Sequence, residues 1–167
     1  MIPHIRPIRY ANDEASIIDS LKYLIFEVIK MDSSDTVVLL QPTCPFRTKQ
    51  NLLDCFEKWD ANKHEYNVAT STEPLQSPKD FYEVTPDGKL TSIWEKNENI
   101  NRQSITNYVF ITGSIYIFNP KNLVNQNSLI IPNKTISVRT SQKEGFDIDT
   151  EFDLQIARLI SIGSLTL

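Results

Sequence analysis

The sequence predicts a three-layer α/β domain. Three observations carry that expectation. Helical and strand patterns alternate between residues 13 and 72. One of the strand patterns is a continuous β-branched apolar run, the mark of a strand covered on both faces of a parallel sheet. A third strand-to-helix junction near the C-terminus places paired acids before a capped amphipathic helix.

In chain order, residues 1–12 read as extended or irregular, because Pro3 and Pro7 exclude a helix interior. Asp13 is expected to cap a helix whose Ile17, Ile18, Leu21, Leu24, Ile25 and Val28 form one apolar stripe, ending near residues 32–35. Residues 36–40 are the buried strand. It runs into Gln41-Pro42-Thr43-Cys44-Pro45-Phe46-Arg47-Thr48, a loop at a strand's carboxyl end, where open α/β sheets bind ligands. Thr48 caps a second helix bearing Leu52, Leu53, Phe56 and Trp59, and residues 68–72 form a second strand.

The middle departs from the alternation. Residues 81–84 and 90–94 flank Thr85-Pro86-Asp87-Gly88-Lys89, a hairpin turn in which glycine supplies a positive φ. A polar connection over 95–107 contains Arg102 and Gln103. Strand character returns over 108–118, interrupted at Thr112-Gly113. Asn119-Pro120 starts a short helix, and residues 135–138 make a last strand.

With 40% hydrophobic and 23% charged residues the composition is globular, and 167 residues make one domain with a sizeable core. A net charge of −4 without a Lys/Arg-rich run gives no nucleic-acid footprint. No apolar run approaches the roughly 20 residues that span a bilayer, and none has signal-peptide form. Cys44 and Cys55 are too few for a disulfide framework, so reduced thiols in the cytoplasm are expected. His4 and His64 leave little material for a histidine zinc site or a Ser-His-Asp triad.

The candidate chemistry lies in the loops. Asp147 and Asp149 lie two apart, so an extended backbone points both carboxylates to one side. Such hard oxygen donors suit Mg²⁺, which binds one or two carboxylates together with substrate phosphates. The same string also describes solvated loop acids beside an ordinary cap, with Thr150 as N-cap, Asp153 three residues on, and Leu154, Ala157 and Ile160 behind it. Gln41, Thr43 and Arg47 offer polar groups at a strand end, or form a proline-stiffened turn. Arg102 and Gln103 make a fork for a carboxylate, or a solvated surface. Tyr116 reads as a core residue with a bonded hydroxyl.

The order of these blocks resembles the acylneuraminate cytidylyltransferase (CMP-sialic acid synthetase) family. Residues 39–48 are similar to its L-L-Q-P-T-S-P-L-R-T, Arg102-Gln103 to its R-Q pair, and Thr112-Gly113-Ser114-Ile115-Tyr116-Ile117 to its N-G-A-I-Y-I. Asp147-Ile148-Asp149-Thr150-Glu151-Phe152-Asp153-Leu154 is nearly its D-I-D-T-E-x-D-L, and Arg6-Pro7 through Ser16 resembles its R-P and D-x-A-S. The resemblance implies a Rossmann-like nucleotidyltransferase fold, the fold of nucleotide-diphospho-sugar transferases. It implies CMP transfer from CTP to a nonulosonic (sialic-type) acid, with pyrophosphate leaving. Asp147 and Asp149 would hold Mg²⁺. Gln41, Arg102, Gln103, Tyr116 and Lys79 would contact the sugar acid, Lys79 by way of a neighbouring subunit. Arg6 and Ala15 would lie at the nucleotide. A β-hairpin insertion over about 72–114 would dimerise the chain into a homodimer.

The sequence also departs from the family pattern. The glycine-containing basic loop L-x-x-x-R-x-G-S-K, which cradles the triphosphate, has no counterpart, so the fold is expected to be N-terminally incomplete and to expose a sheet edge. Ile17, Phe110 and Thr112 stand where the family has serine, arginine and asparagine, and Leu129-Ile130 where it has an aromatic pair. The alternative function is a non-catalytic homologue that dimerises with or completes an intact enzyme. A sugar-binding module without a nucleotide would leave the aspartate pair without a role.

Overall fold

Alternation along one central strand divides the core into two layers in the computed structural model, which describes residues 3–12, 14–93 and 108–165. That strand, Phe110–Phe118, turns Ile115 and Ile117 to one face and Tyr116 and Phe118 to the other, as a pleated backbone must. On the first face Ile115 and Ile117 pack with Val68 and Val138 against Cys55 and Trp59 of helix α2 (Lys49–Ala61). On the second, Phe118 packs against Leu21 and Ile25 of the first helical segment and Leu123 of α3 (Pro120–Gln126). Helix, sheet and helix make the three layers that the sequence predicts.

The strands in chain order are β1 (Val37–Leu40), β2 (Asn67–Thr72), β3 (Tyr82–Val84), β4 (Leu90–Ser92), β5 (Phe110–Phe118) and β6 (Thr135–Arg139). The main sheet has the order β1-β5-β2-β6. β2 and β6 run parallel, and β5 lies antiparallel between β1 and β2. The sheet is therefore Rossmann-like but mixed. β1 is not covered as its apolar run predicts: it is half-buried at the sheet edge among the described residues, and Leu40 is 42% exposed. An apolar run reports the side chains of a strand and not the number of its hydrogen-bonded neighbours.

β5 is continuous where a break at Thr112-Gly113 is predicted. Its register against β2 shifts instead, so that Thr70 alone faces the stretch from Thr112 to Ile115. The Thr70 hydroxyl accepts from the Ile115 amide at 3.0 Å and bonds the Thr112 hydroxyl at 2.8 Å, filling the bulge with side-chain partners. Gly113 takes φ +73° there, a conformation that only glycine adopts readily.

The first helix is capped by Ser16, whose hydroxyl accepts from the Ile18 amide at 3.1 Å; Asp13, the predicted cap, lies outside the described residues. It runs as α1 over Ile17–Lys22, continues as a π-helix over Tyr23–Ile29, and stops at Lys30, which is left-handed with φ 61°. Thr48 closes a capping box with Asn51 at the start of α2, and Thr150 closes another with Asp153 at the start of α4 (Glu151–Ser161). The hairpin β3–β4 turns at Gly88, φ +81°, and forms its own two-stranded sheet; the main sheet resumes at Phe110.

Candidate active site

Two loops meet at the carboxyl ends of β1 and β6, and main-chain bonds fasten one to the other. The Ile148 amide, between the two aspartates, donates to the Thr43 carbonyl at 3.0 Å. Phe46 and Phe146 pack with ring centroids 6.3 Å apart, and the Thr48 hydroxyl donates to Glu144 at 3.4 Å. Glu144 in turn accepts from the Ser141 amide and hydroxyl at 2.9 and 2.8 Å. Those bonds, the Ser141 amide first, hold its carboxyl below the usual range. The aspartate loop is thus tied at both ends, to the cap of α2 and to its own turn.

Asp147 is half-buried and Asp149 exposed. Asp147 Oδ1 accepts from the Ile148 amide at 3.2 Å and from the Cys44 thiol at 3.4 Å. Neither aspartate has an ion pair among the described residues, and no group of three or more His, Cys, Asp and Glu gathers there to form a closed cage. Carboxylates without an ion pair are oxygen donors of the chemistry that Mg²⁺ takes together with water and substrate oxygens. They do not fit a structural zinc site.

Gln41 reaches into the bulge of β5. A Cβ on Gly113 would collide with the Gln41 side-chain oxygen and stand 3.9 Å from Asp147 Oδ2, so glycine brings the amide and the carboxylate to one place. Gly145 makes a similar approach: a Cβ there would collide with the Thr112 methyl group. Tyr116 completes the group, half-buried; burial raises its hydroxyl pKa, with the nearby Cys44 and Asp147 adding to the rise.

Two residues of the loop do work that the sequence does not show. Arg47 donates to the Ser114 carbonyl at 2.6 Å and to the Gln41 carbonyl at 3.2 Å, which staples β1 to β5 instead of offering the guanidinium to a ligand. Cys44, 1% exposed, lies against both Asp147 and the Thr112 carbonyl; burial, reinforced by Asp147, pushes its thiol up to about 12. A cysteine between Thr43 and Pro45 carries no sequence signal for such a contact.

The remaining candidates lie elsewhere. Ala15 lines a cleft of about 650 Å³ with Arg9, Tyr10, Asp19, Lys22 and Tyr23. The Tyr10 and Tyr23 rings stack at 4.8 Å there, and the Arg9 guanidinium lies over Tyr10. Neither Asp147 nor Gln41 lines that cleft, and Arg6 is exposed outside it. Lys79 is half-buried on the 3₁₀ turn Pro78–Asp80 leading into β3. Arg102 and Gln103 lie outside the described residues.

A mixed sheet between helices, with two loops meeting at the carboxyl ends of its strands, makes a Rossmann-like α/β fold. The chain superposes on 4-diphosphocytidyl-2C-methyl-D-erythritol synthase from Anaerococcus prevotii with a TM-score of 0.55 and 16% identity, over 89% of this chain and 68% of that one. In sequence it is 27% identical over 155 residues to CMP-N,N'-diacetyllegionaminic acid synthase of Legionella pneumophila, covering 91% of this chain and 65% of the relative. It is 26% identical over 127 residues to post-translational flagellin modification protein B of Campylobacter coli, covering 75% of this chain and 52% of the relative. No family model matches. The chain thus spans about half to two-thirds of the length of these relatives.

Proposed function

We propose that this chain serves cytidylyl transfer from CTP to a nonulosonic acid, with release of pyrophosphate. The observation that carries the reading is the fastening of the aspartate loop to the Gln41–Arg47 loop, through Ile148 to Thr43 and Cys44 to Asp147. It sets a carboxylate, an amide and a phenol side by side at the strand ends, where a sugar acid and a triphosphate would meet. The relative from Legionella, named as a CMP-N,N'-diacetyllegionaminic acid synthase, supports the substrate class.

In this reading Asp147 and Asp149 would hold Mg²⁺, which when bound would supply charge neutralisation at the reacting phosphate. Gln41 and Tyr116 orient the sugar acid so that its anomeric hydroxyl faces the α-phosphate. Arg102 and Gln103 grip its carboxylate. Ala15 and Arg6 would bind the nucleotide, although the cleft that Ala15 lines is separate from Asp147 and Gln41, and Lys79 would reach a neighbouring subunit's site. No protein nucleophile is required.

The hairpin supports a homodimer. Val84 and Leu90 are 69% and 68% exposed, and Phe81, Tyr82 and Ile93 are also exposed. A two-stranded hairpin is marginal in water unless another surface covers it. The free thiols of Cys44 and Cys55 support a reducing, cytoplasmic setting. Among the described residues no helix is long and apolar enough to cross a membrane.

The test is pyrophosphate release by the chain with Mg²⁺ and a panel of nonulosonic acids, with CTP and UTP compared. Release that needs CTP and one of the acids is expected. Absence of release, together with no binding of CTP·Mg²⁺ by calorimetry, would contradict the proposal.

A further inference from the structure

We propose that Cys44 is a positioning residue for Asp147, fixing which carboxylate oxygen is presented to a ligand. The inference rests on the metal reading of Asp147. Two protein donors converge on the same oxygen: the Ile148 amide at 3.2 Å and the Cys44 thiol at 3.4 Å both reach Oδ1. Oδ2 accepts from no donor among the described residues, and it lies towards Gly113, where the Gln41 side-chain oxygen also sits. With Oδ1 occupied on the protein side, Oδ2 is the atom free to meet a cation.

The thiol has one hydrogen and two acceptors at equal distance, since the Thr112 carbonyl also lies at 3.4 Å. An ionised acceptor makes the stronger bond, so the hydrogen goes to Asp147. At 1% exposure the Cys44 thiol is shielded from solvent. The Ile148 amide is shared with the Thr43 carbonyl at 3.0 Å, so it alone holds Oδ1 weakly. Outer-shell donors to ligating carboxylates typically carry about 10- to 100-fold in metal affinity.

The experiment titrates Mn²⁺, an oxygen-ligated stand-in for Mg²⁺, into wild type, Cys44→Ser and Cys44→Ala, reading free ion by electron paramagnetic resonance. Cys44→Ala is expected to bind about tenfold more weakly or worse, and Cys44→Ser, which keeps a donor, to recover most of the loss. The infrared S–H stretch of Cys44, isolated by subtracting the Cys44→Ser spectrum, is expected to rise in frequency in Asp147→Asn. Equal Mn²⁺ affinity in wild type and folded Cys44→Ala would overturn the inference while leaving the metal site intact. An S–H stretch unmoved by Asp147→Asn would overturn it even if Cys44→Ala fails to fold. Wild type that binds no Mn²⁺ would overturn the metal reading, and the inference with it.

Discussion

Gly113 and Gln41 share one volume: the side-chain amide of Gln41 occupies the space where a Cβ on Gly113 would stand. The bulge in β5 exists at that point, and glycine at φ +73° both shapes the bulge and admits the amide. Gly113→Ala is therefore expected to destabilise the fold by about 1–3 kcal/mol, from backbone strain and from expulsion of Gln41. Denaturant unfolding measures it. Wild-type stability in the alanine variant would mean that the bulge is not built around this contact.

Glu144 gives the site a pH dependence. Its carboxyl is held below the ordinary value of 4.5 by Ser141, with Thr48 and Asn51 assisting. A folded-state pKa below the unfolded one stabilises above the unfolded value, and the gain is lost as pH falls through the folded pKa. The stability difference between wild type and Glu144→Gln should thus be full at neutral pH and shrink below about 4.5. Denaturation series at several pH values test this; a difference independent of pH would show that the charge is not used.

The two thiols should be silent in the native protein. Cys44 and Cys55 are buried, and burial pushes each up to about 12 from 9.0. Alkylation at pH 8 should label neither until denaturant is added. Because the folded values are raised, their stabilising effect is complete below 9.0 and is lost as pH rises towards 12. Rapid native labelling at either position would contradict the packing.

The exposed hairpin makes a solution prediction. Val84→Lys with Leu90→Lys, two charges on an apolar two-stranded sheet, should turn a dimer into a monomer in sedimentation or light-scattering measurements. If wild type is already monomeric, or the double variant remains dimeric, the hairpin is not the interface.

How much of this was legible in the sequence depended on how local the signal was. The helix caps at Thr48 and Thr150 are local and read directly from the chain. So did the turn at Gly88, and so did the alternation that produces three layers. The edge position of β1 was not legible, because its partner β5 lies some seventy residues on and runs antiparallel. Thr112-Gly113 reads locally as a strand break; only the hydroxyl of Thr70, from another strand, lets the strand continue through a bulge. At the site, Gln41, Tyr116 and Asp147 were named by their blocks, and the fold brings them together. Arg47 stayed open between a ligand group and a structural turn, and the Cys44 contact was missed, because their partners Ser114, Thr112 and Asp147 lie far along the chain.

The central claim is that Asp147 and Asp149 hold the cation for cytidylyl transfer, and the most direct measurement follows α-phosphate-labelled CTP. With Mg²⁺ and a nonulosonic acid, label should pass to the sugar in wild type. Transfer should fall at least about a hundredfold, roughly 2.7 kcal/mol, in both Asp147→Asn and Asp149→Asn. Transfer by either variant at the wild-type rate, or label that never leaves CTP in wild type, would contradict the account.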